Sequence, residues 1–187
     1  MSGLAGVAHR ATTAWLASAV AVFIFISGEV ADAATIRILA LGASNTNGKG
    51  VSASEAWPAQ LQSMLRAKGY DATVTVNAVN GDTSAGVFGR TNAIPAGTQV
   101  VAFDTGGDND LLHGVAGETE ANRAKIISAI RAHGAMPISV PYHALIGPQR
   151  SGGAGYQADG IHLTAQPHRK VAAYLVPLIL AAAKQSR

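Results

Sequence analysis

A serine, a histidine and an aspartate in this sequence have the chemistry of an acyl-transfer site. Ser44 follows a short aliphatic run, and Asp159 and His162 lie three residues apart in the segment DGIH. A serine hydroxyl is a poor nucleophile until a neighbouring base takes its proton, and a histidine oriented by a carboxylate can be that base. Because one turn spans three residues, the side chains of Asp159 and His162 can point to the same site.

Two further residues could stabilise the negative oxygen that forms during acyl transfer. An oxyanion needs hydrogen-bond donors that are already in place. Gly81 offers an unobstructed backbone N–H, and Asn109 offers a side-chain amide. Together with Ser44 and His162, these groups would form a complete acyl-transfer site built from four separate segments of the chain.

The rest of the sequence predicts strands that alternate with helices. β-branched and aliphatic runs predict four strands, at 35–41, 72–76, 99–103 and 136–140. Apolar spacing and end signals predict four helices, at 54–68 (with Ser54 as candidate N-cap), 83–90, 118–133 and 165–183. This alternation indicates a parallel sheet with helices on both faces, and such sheets bind ligands at the carboxyl ends of their strands. We therefore expect the polar, glycine-rich segments that follow the strands to meet at one edge.

Four blocks of sequence resemble those of the SGNH hydrolases, the GDSL-type esterases and lipases. In chain order they are LGASNT, NGDTSAG, GDND and DGIHLT. Each block is a weak pattern alone, but all four occur in the family's order and cover nearly the whole chain after residue 33. The resemblance, which is to small lysophospholipase-like and thioesterase-like members, implies an α/β fold with a three-layer, flavodoxin-like, doubly wound parallel sheet.

The resemblance also implies roles for individual residues. Ser44 would be the nucleophile, His162 the base and Asp159 its orienting partner, while the Ser44 N–H, Gly81 and Asn109 would form the oxyanion hole. The implied reaction is the hydrolysis of carboxylic esters or thioesters, without a cofactor. Small acyl or aryl esters and lysophospholipid-like molecules are the expected substrates, and glycan O-acetyl esters are an alternative.

One position departs from the family pattern. The family usually has an aspartate immediately before the serine, and this chain has Ala43 there. An aspartate can brace the turn through hydrogen bonds to nearby backbone, so its loss leaves a triad intact but can loosen the turn. The departure leaves open a hydrolase-like module that binds ligand with little turnover.

Residues 1–33 have the composition of a secretory signal peptide. A weakly basic start precedes an uncharged run at 14–26, and the tripeptide ADA ends at Ala33. A membrane-spanning helix needs about 20 apolar residues, and this run is shorter. The alternatives to a signal peptide are an uncleaved anchor and a buried helix. We expect cleavage after Ala33, a periplasmic or secreted protein without a stable membrane anchor, and a catalytic domain at 34–187.

Composition excludes several other classes of function. The 187 residues include no cysteine, which excludes disulfides, thiolate metal sites and cysteine nucleophiles. The net charge of +3 is small and no basic run occurs, so we expect no nucleic-acid partner. The aspartates lack the spacing of a calcium loop, so no metal is expected. The run GASNTNGKG at 42–50 resembles a phosphate-binding loop, but it has one residue too many between its first glycine and the Gly-Lys pair. Gly50 also stands where that loop needs Ser or Thr, so we do not expect phosphate binding there.

The remaining expectations concern partners and two other histidines. A small-molecule ester is the expected partner, and the oligomeric state does not follow from the sequence. His143 is interpreted as a loop histidine, because no carboxylate lies near it at a spacing like that of Asp159 and His162. His168 is interpreted as a structural residue of the last helix.

Overall fold

The computed structural model describes residues 2–3, 35–148 and 155–185 of the chain. The predicted signal peptide at 1–33 lies outside the described residues, apart from Ser2 and Gly3. The chain divides into two units, Met1–Ala31 and Asp32–Arg187, and the fold described below belongs to the second.

The centre of the fold is a parallel sheet of four strands. They are β1 (Ile36–Gly42), β2 (Ala72–Ala78), β3 (Val100–Phe103) and β4 (Met136–Ser139). The order across the sheet is β2-β1-β3-β4, and every neighbouring pair is parallel. The predicted α/β class with a parallel sheet is therefore confirmed, and each strand bound lies within two residues of its predicted position.

In the part of the chain that the structure describes, seven α-helices connect and cover the strands. They are α1 (Ser44–Asn47), α2 (Trp57–Ala67), α3 (Ser84–Gly89), α4 (Gly107–Leu112), α5 (Thr119–Ala132), α6 (Tyr142–Ile146) and α7 (Ala165–Gln185). Short 3₁₀ turns follow α3 at Arg90–Ala93 and precede α5 at Ala116–Glu118.

All four predicted helices form, as α2, α3, α5 and α7. However, α2 begins at Trp57, and its N-cap is Ala56 without a side-chain cap bond, so Ser54 is not the cap. Pro58 lies in the first turn of α2, where its missing N–H is not needed. The unpredicted helices α1, α4 and α6 have only four to six residues, too few to show an apolar period.

Alternate residues of the strands pack on opposite faces of the sheet. One face packs against α2 and α7, and the other packs against α3 and α5. Because side chains alternate along a strand, β1 contributes Ile38 and Ala40 to the first cluster and Leu39 and Leu41 to the second. Burial on both faces explains why β1 is an almost unbroken apolar run, and it gives the fold its three layers.

No helix among the residues that the structure describes is long and apolar enough to cross a membrane. The carboxyl ends of the strands lie at one edge of the sheet, because all strands are parallel. The helices α1, α4 and α6 each begin within four residues of a strand end at this edge. The polar residues of these short helices are therefore held close to the carboxyl edge of the sheet.

Candidate active site

Ser44 is the first residue of α1, two residues after the end of β1. Its side chain is largely buried, with 6% of the residue exposed. The turn requires a glycine at position 42, since a Cβ there would lie 2.9 Å from the Cβ of Asp104 and closer still to the Thr46 hydroxyl. The strand can therefore turn sharply into α1, which places the Ser44 hydroxyl at the carboxyl edge.

The structure brings Ser44, His162 and Asp159 into one chain of hydrogen bonds. The Ser44 Oγ lies 3.0 Å from the His162 Nε2, and the His162 Nδ1 lies 2.6 Å from the Asp159 Oδ2. The aspartate is bonded to one ring nitrogen and the serine to the other, so the ring can accept a proton from Ser44 while Asp159 holds its orientation. This is the geometry that proton abstraction from a serine requires.

The Asp159 carboxylate is also held by backbone. Its Oδ1 accepts hydrogen bonds from the N–H groups of Ile161 and His162, at 2.9 and 3.0 Å. The hydrogen bond to the His162 side chain is the main reason that the pKa of Asp159 lies well below its ordinary range, and these backbone bonds add to it. The side chain is 43% exposed, so water shares in stabilising the charge. Asp159 therefore stays ionised beside the histidine.

Asn45 connects the serine helix to the histidine segment. Its Nδ2 donates to the carbonyl of Ile161 at 3.3 Å, and its Oδ1 accepts from the N–H of Leu163 at 2.9 Å. These two partners flank His162 in the chain. Because Asn45 directly follows Ser44, the amide fixes the distance between the hydroxyl and the imidazole, a function that the sequence did not reveal.

Of the two candidate oxyanion donors, Asn109 lies in the wall of the small cavity beside Ser44. Its Nδ2 donates to the carbonyl of Asp82 at 2.8 Å, which orients the amide. Gly81 precedes Asp82 in the turn after β2, with a left-handed φ of 80°, and does not line this cavity. Asn109 therefore lies beside Ser44, whereas Gly81 lies in the segment that holds Asn109.

Arg90 connects the Ser44 turn to the same segment. Its Nη2 donates to the carbonyl of Gly42 at 2.6 Å, and its guanidinium forms an ion pair with Asp82. Burial lowers the pKa of Arg90. Because the Asp82 carbonyl also accepts a hydrogen bond from Asn109, Arg90 sets the spacing between the Ser44 turn and the Asn109 amide.

The interpretation of His143 needs correction. Its Nε2 lies 3.1 Å from the Asp108 Oδ1, so a carboxylate is present although none is near in the chain. The pair joins α6 to α4 across a cavity of about 340 Å³, which Asp104 and Tyr142 also line. Asp104 and Asp108 line the cavity beside Ser44 as well, so the two cavities are neighbours.

A model of the GDSL-like lipase/acylhydrolase family matches residues 40–184 of the chain. This match spans more than half of the sequence and contains all of the candidate residues. The chain belongs to this family. The resemblance found in the four sequence blocks is thereby confirmed.

Individual members of the GDSL family agree with this assignment. The chain is 37% identical over 106 residues to Esterase TesA of Pseudomonas aeruginosa, an alignment that covers 55% of this chain and about half (52%) of that protein. A crystal structure of TesA has a TM-score of 0.66 at 26% identity and covers 79% of this chain and 99% of that one. The esterase EstA from Pseudoalteromonas sp., inhibited by monoethylphosphonate, shares the fold, with a TM-score of 0.57 at 19% identity over 81% and 96% of the two chains.

A buried polar network contacts α1, the helix that carries Ser44, in this GDSL-family member. The Tyr142 hydroxyl lies 3.1 Å from the Thr46 Oγ1 and accepts a hydrogen bond from the Trp57 indole at 2.8 Å. The Nδ1 of His168 accepts from the Trp57 backbone N–H at 3.2 Å. His168 is fully buried, and burial lowers its pKa to about 4, so it is neutral and structural, in agreement with its interpretation from sequence.

Asp104, at the end of β3, has a strongly perturbed carboxyl group. Burial, with a contribution from the charge of Asp108, raises its pKa to about 6. Asp104 is not among the site residues expected from the sequence, although it directly follows a strand. Within 35–148 and 155–185, no three histidine or acidic side chains are grouped so that they could hold a metal ion.

Proposed function

We propose that this protein hydrolyses carboxylic esters through a Ser44–His162–Asp159 triad. The observation that carries the proposal is the continuous hydrogen-bonded chain, with 3.0 Å from the Ser44 Oγ to His162 and 2.6 Å from His162 to Asp159. Membership of the GDSL family and the similarity to Esterase TesA support the same reaction.

The first half of the reaction forms an acyl-enzyme. The Ser44 Oγ attacks the ester carbonyl carbon while its proton passes to the Nε2 of His162, and Asp159 stabilises the resulting imidazolium. The carbonyl oxygen becomes an oxyanion. An amide NH₂ has two N–H bonds, so Asn109 can donate one to Asp82 and the other to the oxyanion, together with the N–H groups of Ser44 and Gly81.

Collapse of this oxyanion completes the first half, because His162 gives its proton to the leaving alkoxide, the C–O bond of the ester breaks and the acyl group stays on Ser44. The second half releases the acid. A water molecule then loses a proton to His162 and attacks the acyl carbon, and the returning proton restores Ser44 as the acid departs. No step needs a cofactor.

The substrate class is proposed from the size and charge of the site. The cavity of about 340 Å³ that adjoins the small one beside Ser44 suits a small acyl or aryl group, and Asp104 and Asp108, which line both cavities, disfavour a negatively charged one. We therefore propose small acyl or aryl esters, with lysophospholipid-like molecules and thioesters tested beside them.

Labelling with a fluorophosphonate tests the nucleophile. The wild type and Ser128→Ala, which changes an exposed serine of α5, should both be labelled, and Ser44→Ala should not. Equal labelling of wild type and Ser44→Ala would exclude Ser44 as the nucleophile.

A panel of p-nitrophenyl esters from acetate to palmitate, run on the same three proteins, tests reaction class and acyl length together. Hydrolysis that falls with chain length and requires Ser44 is expected. Activity confined to acetylated glycans would favour the glycan esterase, and saturable binding without turnover would favour a binding module.

The cell location is a separate proposal. We propose export to the periplasm or beyond with cleavage after Ala33, on the composition of residues 1–33. N-terminal sequencing of the protein recovered from the periplasmic fraction should begin at Ala34. An intact N-terminus in the cytoplasmic fraction would contradict the proposal.

A further inference from the structure

The turn that carries Ser44 lacks a carboxylate of its own, because the residue before the serine is Ala43. A carboxylate is nevertheless present beside the turn, on Asp104, which directly follows the neighbouring strand β3. β1 and β3 pair with Leu41 opposite Phe103, and the ladder continues with a hydrogen bond of 2.9 Å from the Asp104 N–H to the Leu41 carbonyl. Asp104 therefore lies next to the end of β1, where the turn begins.

The Asp104 carboxylate is bonded to the backbone on both sides of the site. It accepts a hydrogen bond from the N–H of Gly106 at 3.1 Å, and the N–H of Ala43 also bonds to it. Gly106 is the N-cap of α4, and its carbonyl accepts from the Asn109 N–H at 3.0 Å. One carboxylate thus connects the turn before the serine to the turn before the amide.

The surrounding residues are built to admit this contact. The Cβ of Asp104 approaches Gly42 so closely that any larger residue at position 42 would collide with it. Asp104 also lines the small cavity that Ser44 and Asn109 share. The carboxylate is therefore close to the reacting groups without bonding to either side chain.

We propose that Asp104 is a positioning residue that supplies, from β3, the carboxylate that the nucleophile turn lacks at Ala43, and that it holds Ser44 and Asn109 at the spacing that acyl transfer needs. The inference rests on the proposed ester hydrolysis. Protonation removes the negative charge and turns one acceptor oxygen into an O–H donor, so it weakens the connection to the two N–H groups. The charged and titratable groups that face Asp104 are Asp108, Tyr142 and His143.

Two physical effects of the charge oppose each other, and their balance is measurable. The ionised carboxylate holds the two turns, which favours catalysis. Its negative charge in the cavity wall also disfavours an oxyanion nearby. If positioning dominates, neutralising Asp104 slows turnover, and if repulsion dominates, neutralising it accelerates turnover.

The test is kinetic and uses p-nitrophenyl acetate with the full chain. Asp104→Asn keeps the shape but has one acceptor oxygen, and Asp104→Ala removes the connection. We expect kcat to fall by about 10-fold to 100-fold in Asp104→Ala, the range for a displaced catalytic group, with KM little changed. Glu120→Gln, an exposed carboxylate of α5, is the control for the loss of one negative charge and should keep the wild-type kcat.

Rescue and pH dependence separate positioning from a general effect on folding. Adding Ala43→Asp to Asp104→Ala returns a carboxylate to the turn and should recover most of the lost kcat. The acid limb of the wild-type profile should include the protonation of Asp104, and this contribution should be absent from the profile of Asp104→Asn. Thermal unfolding of every variant shows whether the fold is intact, and Asp104→Asn carries the test if Asp104→Ala does not fold.

Three results would overturn the inference or part of it. Unchanged or increased kcat in Asp104→Asn and Asp104→Ala shows that Asp104 does not position the site. A double variant no faster than Asp104→Ala shows that the two carboxylate positions are not equivalent. If Ser44→Ala hydrolyses the ester as fast as the wild type, the proposed function is refuted instead. Failure of the Asp104 inference and failure of the proposed function are therefore distinguishable.

Discussion

Asp104→Asn is expected to stabilise the folded protein at neutral pH while leaving its stability near pH 4 unchanged. Burial raises the pKa of Asp104 from 3.8 to about 6. Between these values the folded protein holds a proton that the unfolded chain has released, so stability falls as the pH rises. At about 1.4 kcal/mol per pKa unit, ionisation of Asp104 therefore lowers the free energy of unfolding by about 3 kcal/mol.

His168 has the opposite effect over nearly the same pH range. Burial lowers its pKa from 6.5 to about 4. Here the unfolded chain binds a proton that the folded protein does not, so stability rises with pH, again by about 3 kcal/mol. The two contributions offset each other, and the wild type should show little net change from these groups between about pH 4 and pH 6.5.

Urea unfolding followed by tryptophan fluorescence at pH 4, 5, 6 and 7.5 tests this balance. The free energy of unfolding of Asp104→Asn should rise by about 3 kcal/mol between pH 4 and pH 6.5, because the effect of His168 is then unopposed. This free energy should equal that of the wild type near pH 4 and exceed it by about 3 kcal/mol at pH 7.5. Glu120→Gln controls for the loss of one carboxylate. Parallel pH curves for wild type and Asp104→Asn would refute the reasoning.

Three further substitutions test other parts of the site and its support. His162→Ala should lower kcat/KM for p-nitrophenyl acetate by about 10³-fold or more, because triad members act as a unit; an unchanged value would assign the base to another residue. Asn109→Ala should lower kcat by about 10²-fold to 10³-fold, and a change in KM alone would exclude an oxyanion donor. His168→Gln should leave Asp104 unopposed, so that the free energy of unfolding falls by about 3 kcal/mol from pH 4 to pH 6.5; a curve parallel to that of the wild type would contradict the pKa of His168.

The sheet and the segments of the site could be predicted from the sequence because both follow from local patterns. Aliphatic runs such as β1 are buried on two faces, and the chain alternates them with amphipathic helices. Parallel strands place the loops that directly follow them at one edge, so the convergence of Ser44 and Asn109 required only the topology. His162 follows α6 rather than a strand, and the family's order of sequence blocks pointed to it instead. The pairing of Asp159 with His162 was accessible because the two residues share one turn.

Contacts between different loops could not be predicted in the same way. Asp108 and His143 are 35 residues apart, and their pairing depends on how α4 and α6 face each other. The connection from Asp104 to Ala43 depends on the β1–β3 register and on the absence of a side chain at Gly42. Arg90 reaches the Gly42 carbonyl only because α3 ends beside β1. Such contacts follow from three-dimensional packing, and no spacing in the chain encodes them.

The order of the site residues along the chain has a consequence for when activity can first arise. Ser44 and His162 are 118 residues apart, and the base comes last of the reacting groups. A chain still being synthesised or threaded across a membrane contains the nucleophile, the amide donor and all four strands before it contains the imidazole. With the proposed triad, ester cleavage requires His162, so the return of activity during refolding reports the closure of a contact between residues 118 apart in the chain.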